Sequence, residues 1–300
     1  MRIHLDLSFD PYYHIALEHF YLYDDIDIEK SPVLLIYRNQ ESVVFGNFQN
    51  PWLECNVNYC VENNIKLVRR FSGGGCVFHD LGNINFCYIG PKESNSKSIL
   101  SDYLINFLQS ENILASIGDK SDLLLDKKKI SGSAFRETKS RTLHHCTLLF
   151  NSNLEKLNRS LSSPLKKEMI NTKALPSRPA VVRDLSQFHW SSASDIINSF
   201  VMYMKNQLSS HDLVTRTLEL TENRWNTFDF IWGKTPNFEL QMDEMLIKVQ
   251  GGLMVEVKLL DGSIYNMKVL LPAKPERILS CFEINKYQMD YLKKIGFIKG

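Results

Sequence analysis

Apolar side chains recur at helical spacing in several stretches of this 300-residue chain. Asp10 followed by Pro11 is an N-cap with proline at the first helical position, and the pattern behind it predicts a helix over residues 10–23. The same periodicity predicts further helices from residue 51 to about 64, over 95–112, from a cap at Ser191 or Ser192, and near 283–295. Each of these helices has one apolar face, which must pack against another layer.

Runs rich in β-branched residues lie between these helices and predict strands. Residues 33–38 and 42–46 are two such runs, and the polar residues between them predict a hairpin. Other predicted strands cover 65–71, 84–89, parts of 121–150 with a tight turn at Asp126-Lys127-Lys128, and two segments around Gly251-Gly252 followed by an Asp261-Gly262 hairpin turn. Strands and helices mixed in this way predict an α+β fold.

The segment from residue 238 onward differs in character from the rest of the chain. Its alternating strands, hairpin turns and single helix are enough for a small α+β unit. A proline-containing loop over 163–190 precedes it at some distance. We therefore predict a larger catalytic domain over residues 1–237 and a small C-terminal accessory domain over 238–300.

Composition narrows the classes of function. Apolar residues make up 44% of the chain and charged residues 23%, as in an ordinary folded protein. A formal charge of +1 leaves no overall basic field for nucleic acid, and no apolar run approaches the ~20 residues of a membrane span. Six cysteines without a C-x-x-C pair favour a reducing compartment. We expect neither a nucleic-acid partner nor a membrane.

The most informative stretch is residues 69–80, RRFSGGGCVFHD. Three successive glycines after a predicted strand let the backbone approach a ligand closely and turn its N–H groups toward an anion. Arg69 and Arg70 beside them can supply forked donors to a carboxylate or phosphate. A surface turn with a solvated arginine pair explains the bare pattern about equally well. The stretch is neither a P-loop, which needs a lysine and a hydroxyl after its last glycine, nor a dinucleotide fingerprint, which needs a following helix.

A second stretch, residues 127–136, reads KKKISGSAFR. In an extended chain Lys127 and Lys129 share one face, and the small residues after Lys129 leave room for its ammonium to reach into a groove. Only one of the lysines need be buried there. A charged hairpin tip in water is the ordinary interpretation of such a run, so the run alone identifies no site.

Histidine and cysteine positions give weaker signals. His144 and His145 are neighbours on a predicted strand, and neighbouring strand residues face opposite ways, so we predict no metal site there. The same argument disfavours a nucleophilic pair of Cys146 and His145. Cys76 adjoins the glycines, whose N–H groups can lower the pKa of its thiol.

Several spaced segments together resemble the lipoate–protein ligase A and lipoyltransferase family, which shares the cofactor-ligase fold with biotin ligases. SFDPYYHIALEH looks like the family's opening helix, NPWLECN like its following element, RRFSGGGCVFHDLGN like its signature loop, and KISGSAFRETKSRTLHHCTLLF like its lysine-bearing strand pair. WGKTPNF resembles the junction before the family's accessory domain. The resemblance is close over residues 8–150, thinner to about 240, and implies a mixed β-sheet domain of the class II synthetase-like kind, flanked by helices.

The resemblance implies an ATP-dependent lipoate–protein ligase. Lipoate would be activated to lipoyl-AMP with release of pyrophosphate, and the lipoyl group would pass to a lysine of an acceptor protein. The implied small molecules are ATP, lipoate and Mg²⁺ that accompanies the nucleotide. The implied partners are the apo lipoyl domains of 2-oxoacid dehydrogenase complexes and the glycine-cleavage H protein, and the ligase is expected to be a monomer. An apolar slot for the lipoyl chain is expected along Val44, Val68 and Leu148.

The resemblance also assigns residues. Lys129 is the expected catalytic lysine, which reaches the lipoyl carbonyl and the phosphate, and Arg70 is the expected nucleotide-contacting arginine. The complete expected binding set is Arg70, Ser72, Gly73, Gly74, Gly75, Cys76, Val77, Phe78, His79, Asn83, Asp122, Lys129, Ser131 and His145. Both transition states gather negative charge on oxygen, and one fixed donor aimed at such charge is worth about 10²–10³ in rate.

The chain departs from the family pattern at three places. Asn47 follows Gly46 where the family commonly has arginine. The family's S-V-R-S-R-V-x-N-L run appears as residues 177–185, SRPAVVRDL, with its arginines shifted. Cys146 stands where bacterial ligases usually carry glycine and eukaryotic lipoyltransferases carry cysteine. This last departure favours a mitochondrial protein of the eukaryotic branch, whereas a bacterial protein would be cytoplasmic.

The sequence leaves three alternatives open. A lipoyltransferase would accept lipoyl-AMP or a lipoylated protein as donor and would activate free lipoate poorly. A non-catalytic protein would bind and regulate a lipoylated partner, although it would have no need of Arg70, the glycines and Lys129 together. A biotin ligase is the weakest alternative.

Overall fold

The structure, a computed structural model, describes residues 1–94, 96–119, 121–208, 212–215, 224–242, 245–273, 277–278, 281 and 286–299. Its strands are β1 (Arg2–Leu5), β2 (Val33–Arg38), β3 (Ser42–Phe45), β4 (Lys66–Arg69), β5 (Val77–His79), β6 (Asn83–Pro91), β7 (Ser116–Ile117), β8 (Leu123–Leu125), β9 (Lys128–Lys129), β10 (Ser133–Glu137), β11 (Arg141–Leu149), β12 (Ile170–Thr172), β13 (Asp212–Thr215), β14 (Phe238–Met242), β15 (Met245–Gln250), β16 (Leu253–Leu259) and β17 (Ile264–Leu270). Its helices are α1 (Pro11–His19), α2 (Pro51–Glu54), α3 (Val57–Glu62), α4 (Ile99–Ser110), α5 (Leu154–Ser160), α6 (Ala193–Gln207), α7 (Phe228–Ile231) and α8 (Lys286–Lys294). A π-helical turn, Phe20–Asp24, continues α1.

The strands in the described part of the chain form four sheets. A six-stranded mixed sheet has the order β10-β11-β6-β2-β1-β13, with β1 parallel to both of its neighbours and the other pairs antiparallel. A three-stranded sheet has the order β4-β3-β5, and a smaller one, β7-β8-β9, carries the lysine turn. An antiparallel five-stranded sheet, β12-β14-β15-β16-β17, contains most of the C-terminal strands. The α+β fold predicted from the sequence is confirmed.

Among the described residues, the buried apolar side chains form three cores, and alternate side chains of β2 and β3 point into different ones. Leu34 of β2 belongs to the helix-side core, where the six-stranded sheet packs against α4 and α6, and Leu35 belongs to the inter-sheet core. Val44 of β3 also faces the inter-sheet core, whereas Val43 faces the C-terminal core with the five-stranded sheet. The strand period of two therefore stacks the sheets into layers.

The C-terminal core joins residues on both sides of the predicted domain boundary. Trp52 of α2 is fully buried there, its indole N–H donates to the Gly296 carbonyl at 3.2 Å, and its ring contacts those of Trp232 and Phe297. Strand β12, which precedes the boundary, also pairs with β14. The division at residue 237 stays a prediction, and the two parts share one apolar interior.

Two predictions about the N-terminal part are wrong: the hairpin of β2 and β3, and the single helix over residues 51–64. Strands β2 and β3 exist as predicted, but they lie in different sheets instead of forming a hairpin. Asn39 is buried at the crossing and bonds to His14 and His79, so it does not form an exposed turn. The helix predicted from residue 51 to 64 is two helices, because Asn56 accepts a hydrogen bond from the Tyr59 amide and begins a new one.

Other local predictions are confirmed. Asp10 caps α1 and Ser192 caps α6 through side-chain acceptors. The last helix is Lys286–Lys294, and residues 283–285 of its predicted range lie outside the described residues. All six cysteines are free thiols. In the part of the chain that the structure describes, no helix has the length and apolar character to cross a membrane.

Candidate functional site

Lys129 follows a tight turn that directs it toward the site. Asp126 and Lys127 both have positive φ values, 49° and 62°, so the chain reverses between β8 and β9. The Lys129 Nζ lies 2.8 Å from Asp122 Oδ2, while Asp122 Oδ1 accepts a hydrogen bond from the Ser133 amide at 3.1 Å. The Lys129 side chain keeps 27% of its surface exposed, so its ammonium is oriented and still within reach of a ligand.

The glycine loop, residues 72–76, offers backbone donors. Gly74 has a φ of 90°, a conformation that favours glycine. The amides of Gly73, Gly74 and Gly75 donate no hydrogen bond to any other described residue. Successive unpaired N–H groups of this kind form an anion-binding concavity. The loop therefore has the donors that the sequence predicts.

Arg70 holds this loop from inside the protein. One terminal nitrogen donates to the carbonyl oxygens of Gly73 and Gly75, both at 2.7 Å, and the other donates to Val44 at 3.0 Å. The Nε donates to Ser72 Oγ at 3.1 Å. Burial lowers the pKa of Arg70 to about 10, which leaves it charged at neutral pH. Its guanidinium is thus committed to the loop, and its direct contact with a nucleotide stays a prediction.

Arg69 makes the corresponding contacts on the other side of β4. Its Nε donates to the Ile231 carbonyl at 2.8 Å, one terminal nitrogen donates to Thr235 Oγ1 at 2.9 Å, and the other donates to three carbonyls within residues 46–49 at 3.0 Å. Burial lowers the pKa of this buried guanidinium to about 9. Arg69 therefore ties the segment before the C-terminal strands to the turn after β3.

The glycine loop and Lys129 meet beside strand β10. A Cβ added at Gly74 would lie 3.2 Å from the Cβ of Ala134, so the loop backbone rests on this strand. A Cβ added at Gly132 would lie 3.5 Å from the Lys129 Nζ and 3.7 Å from Thr147 Oγ1. The lysine thus passes over a glycine, as the small residues after Lys129 predict. Loop amides and ammonium can therefore act on one ligand.

Under the glycine loop lies a polar array of Ser72, His145 and Glu18. The Ser72 Oγ lies 2.9 Å from His145 Nε2, and His145 Nδ1 lies 3.2 and 3.3 Å from the two Glu18 oxygens. The Tyr37 hydroxyl donates to Glu18 at 2.9 Å. Burial alone would raise the pKa of the Glu18 carboxyl, but the charge and hydrogen bonds of His145, with the Tyr37 hydroxyl, hold that pKa below its usual value. The helical pattern gives no sign of this role for Glu18.

His79 belongs to a second buried polar chain. Asn39 Nδ2 lies 3.0 Å from His79 Nδ1, Asn39 Oδ1 lies 2.6 Å from His14 Nδ1, and His14 Nε2 lies 3.2 Å from Asp6 Oδ1. Burial, helped by the charge of Arg70, lowers the pKa of His79 to about 3, so its ring is neutral at pH 7. The His79 Nε2 has no hydrogen-bond partner among the described residues.

Of the other residues expected to bind ligand, Ser131 lies near Lys129, whereas Val77 and Phe78 pack into apolar cores. Ser131 is buried beside Lys129, and its hydroxyl has no partner in the described part of the chain. Val77 packs against the inter-sheet core, whereas Phe78 points into the C-terminal core on the opposite face. Asn83 is buried and donates to Asn85 Oδ1 at 3.1 Å.

The expected slot for the lipoyl chain is wrong in one member. Val44 and Val68 both line the inter-sheet core. Leu148 belongs to the helix-side core, on the far face of the six-stranded sheet. A side chain on that face cannot line a slot with the other two, because alternate residues of β11 point to opposite faces.

Burial raises the pKa of the two cysteine thiols near the site, Cys76 and Cys146. Cys146 Sγ lies 3.1 Å from His144 Nε2, on the same face of β11, and His145 faces the other way as predicted. Burial raises the pKa of Cys146 to about 12 and lowers that of His144 to about 3, so the pair stays neutral. The predicted lowering of the Cys76 pKa is wrong, because burial raises it strongly despite the nearby Arg70.

Residues 174–185, the covering segment, lie across the glycine loop and the lysine strand. The Ser177 Oγ accepts hydrogen bonds from the Cys76 amide at 2.8 Å and from Gln49 Nε2 at 3.0 Å. The backbone of Lys129 exchanges two 2.9 Å hydrogen bonds with residues 181–183. The sequence predicts only a loop here, and the family-like run at 177–185 is the signal for its position.

A cavity of about 450 Å³ lies away from Lys129. It is lined by residues of β12, β14 and β15 and the segments beside them, and none of the expected binding residues is among them. The site is thus defined by its donors and its charges, and this cavity has no part in it.

The mixed sheets flanked by helices, with the glycine loop beside an oriented lysine, are the arrangement that the resemblance implies for a cofactor ligase. A family model described as the lipoyl protein ligase A/B catalytic domain matches residues 10–205. The lipoate-protein ligase A of Blochmanniella pennsylvanica is 35% identical over 259 residues, which cover 81% of this chain and 75% of that protein. The chain therefore belongs to the lipoyl protein ligase A/B family, and its enzymatic class is lipoate–protein ligase.

Solved structures agree with this fold. LipL1 of P. falciparum in complex with lipoate superposes with a TM-score of 0.64 at 23% identity, covering 97% of this chain and 98% of that one. A bipartite lipoate protein ligase from Thermoplasma acidophilum, studied with its E2 lipoyl domain, gives 0.61 at 23%, covering 75% and 95%. A lipoate-protein ligase A bound with ATP gives 0.60 at 24%, covering 75% and 97%. At these identities the structures support the fold.

Proposed function

We propose that this ligase binds ATP and lipoate where the glycine loop meets Lys129, forms lipoyl-AMP there, and transfers the lipoyl group to a lysine of an acceptor protein. The observation that carries the proposal is the convergence of three unpaired loop amides and one oriented ammonium beside β10. The lipoate and ATP named for the family's solved structures are the chemistry that such a set of donors suits.

Each step develops negative charge that these donors can stabilise. In the first step a lipoate oxygen attacks the α-phosphorus and pyrophosphate leaves. In the second step the acceptor amine attacks the lipoyl carbonyl and AMP leaves. The Lys129 ammonium carries a charge that Asp122 orients at 2.8 Å, and a fixed cation requires little reorganisation as the oxyanion forms.

Mg²⁺ is proposed to arrive with the ATP phosphates. Mg²⁺ prefers oxygen ligands in octahedral geometry. Among the described residues, the one group of three potential metal ligands is Glu18, Cys87 and His145, and its thiol and imidazole do not suit Mg²⁺. Among the described residues, the ion is therefore expected to depend on the phosphate oxygens that it arrives with.

The proposed acceptors are apo lipoyl domains and the glycine-cleavage H protein. The neighbour from T. acidophilum, named with its E2 lipoyl domain, supports the first class. A mitochondrial location and a monomeric state are also proposals, the first because of Cys146. Cell fractionation with an antibody would test the compartment, since recovery of the enzyme in a cytosolic fraction contradicts a mitochondrial location. Light scattering would test the monomer.

Exchange of labelled pyrophosphate into ATP tests the activation step. The exchange should depend on lipoate, and octanoate and biotin serve as comparison acids. If exchange is absent but transfer from synthetic lipoyl-AMP is intact, the enzyme is a lipoyltransferase and the activation step is wrong. Exchange with biotin alone, and attachment of biotin, would favour a biotin ligase.

Substitution of Lys129 tests whether its ammonium beside the loop amides is needed for activity. Lys129→Ala should lower modification of an apo lipoyl domain by about 10²–10³-fold, the effect of removing one oxyanion donor. Lys128→Ala is the matched control, because that neighbour is exposed and should keep wild-type activity. Absence of activity in the wild type and both variants would favour a non-catalytic binding protein.

A further inference from the structure

We propose that Ser72 is an acyl-accepting nucleophile, so that the polar array gives this ligase a second activity: hydrolysis of activated medium-chain acyl groups through an acyl-serine. The inference goes beyond ligation and rests on the proposed function only for its acyl substrate. Its basis is the order of groups in the array: a hydroxyl, an imidazole and a carboxylate in hydrogen-bonded sequence.

The hydrogen-bond directions in the array fit a nucleophile, its base and an orienting acid. The Glu18 carboxylate can only accept, so in the neutral form of His145, which is the form that can act as a base, the ring proton lies on Nδ1, 3.2 Å from Glu18 Oε1. The Nε2 is then an acceptor, 2.9 Å from Ser72 Oγ. The Arg70 Nε donates to the same Oγ at 3.1 Å, which leaves the serine proton to point at His145. This is the arrangement by which a base activates a serine.

The acid of the array is held in place and away from water. Glu18 is completely buried, and both Tyr37 and His145 bond to its carboxylate. A buried carboxylate fixes the ring orientation and stabilises the imidazolium that forms when the base takes the serine proton. The base itself is less enclosed, with 14% of the His145 side chain exposed.

Donors for an oxyanion lie next to the serine. The unpaired amides of residues 73–75 follow Ser72 directly in the chain. Backbone amides adjacent to the nucleophile are the usual donors for a tetrahedral oxyanion, and each is worth about 10²–10³ in rate. The glycine loop thus has a chemical use beyond holding phosphate.

Space beside Ser72 allows a substrate to approach. The serine itself is buried. A Cβ added at Gly73 would meet no atom within 4 Å, so open space begins one residue away from the nucleophile. An acyl group entering from this side meets glycines that have no side chain to displace.

The chain also contains a second serine–histidine pair, in which the serine hydroxyl donates to the Ser121 carbonyl at 2.7 Å and no acid follows the histidine. The Ser133 Oγ lies 3.2 Å from His144 Nε2. The His144 Nδ1 has no hydrogen-bond partner in the part of the chain that the structure describes. Burial lowers the pKa of His144 to about 3, which makes it a poor base. Ser133 is therefore an internal control for the reactivity of Ser72.

The reaction balances without a further reagent. Ser72 Oγ attacks the acyl carbonyl while His145 takes the hydroxyl proton, and the acyl–oxygen bond to the leaving group breaks. The proton passes to that leaving group, AMP in the case of the acyl adenylate. Water then attacks the acyl-serine with His145 as base, and the products are the free acid and regenerated Ser72.

Covalent labelling of the wild-type ligase tests the inference without any variant. The protein is treated with an octyl fluorophosphonate, and peptide mass mapping locates the adduct. We expect the adduct on the peptide that contains Ser72 and none on the peptide that contains Ser133. Absence of an adduct at Ser72 after exhaustive treatment would overturn the proposal.

Hydrolysis of p-nitrophenyl octanoate gives the second readout. Ser72→Ala should lower the rate of ester hydrolysis at least 10²-fold, and Ser72→Cys should retain a covalent acyl adduct. Ser133→Ala should hydrolyse the ester like the wild type. Thermal melting shows whether each variant folds. Hydrolysis by Ser72→Ala at the wild-type rate contradicts the proposal.

Pyrophosphate exchange on the same preparation separates the two proposals. Labelling of Ser72 without lipoate-dependent exchange would refute the activation step and leave the acyl-serine standing. Lipoate-dependent exchange without labelling of Ser72 would refute the acyl-serine and leave the activation step standing.

Discussion

Arg70→Lys tests whether the guanidinium serves the loop by its shape or only by its charge. Arg70 makes five hydrogen bonds, to Val44, Ser72 and Gly75 and two to Gly73. A lysine ammonium has three donors and no planar fork, so at least two of these bonds are lost. Hydrogen bonds that involve a charged group contribute about 1.5–3 kcal/mol each, so the variant should be less stable by about 3 kcal/mol or more.

Thermal unfolding and pyrophosphate exchange measure the two effects of this change. At about 2–4 °C per kcal/mol, the midpoint should fall by at least about 6 °C. The KM for ATP should rise, because the amides of residues 73–75 lose the support that positions them. Arg38→Lys is the matched control, since Arg38 makes one long hydrogen bond to the Leu81 carbonyl, at 3.4 Å. If Arg70→Lys unfolds at the same temperature as the wild type, the conclusion that Arg70 supports the glycine loop is wrong.

Three further changes probe the interior around the site. A Cβ at Gly46 would lie 2.4 Å from the Gly74 carbonyl oxygen, so Gly46→Ala should displace the glycine loop. Pyrophosphate exchange should then be slower on the order of 10²-fold. An unchanged rate would show that the position of the loop does not matter for activation. Burial lowers the pKa of His79 to about 3, whereas the histidine of the unfolded chain has a pKa of ~6.5. The folded protein therefore has its full free energy of unfolding, as far as His79 is concerned, above about pH 6.5. That free energy falls by up to about 1.4 kcal/mol per pH unit as the pH falls toward 3, because the unfolded chain binds the proton more readily. His79→Gln should therefore flatten the decline in urea stability between pH 6 and 4, and an equal slope in both proteins would contradict the shift. Asn39→Ala leaves ring nitrogens of His14 and His79 without their partner and should cost about 2–4 kcal/mol in urea unfolding; wild-type stability would refute the buried chain.

Local signals in the sequence predict where several helices begin. Asp10 and Ser192 begin helices because their side chains accept from nearby amides, and that interaction needs only neighbouring residues. The turn before Lys129 and Gly132 after it are also sequence-local features, but the role of Lys129 comes from the family resemblance and stays a prediction. The resemblance to a family adds the order of the segments, which local chemistry alone does not give.

Connections between distant segments are not predictable from local patterns. The hairpin proposed for β2 and β3 is wrong because Asn39 bonds to residues 25 positions before it and 40 after it. Glu18 is buried on α1, and its partners His145 and Tyr37 lie 127 and 19 positions away in the chain. Arg70 is expected at a nucleotide and is committed to carbonyl groups that the folded loop brings to it.

Arg69 and Arg70 are successive residues, and their guanidiniums leave the strand in opposite directions. An insertion or deletion of a single residue within β4 would shift the residues around it by one place, so the two guanidiniums could not both keep their positions on opposite faces. At least one of them would lose the carbonyl groups that it contacts. We therefore expect this strand to tolerate a change of residue type better than a change of length.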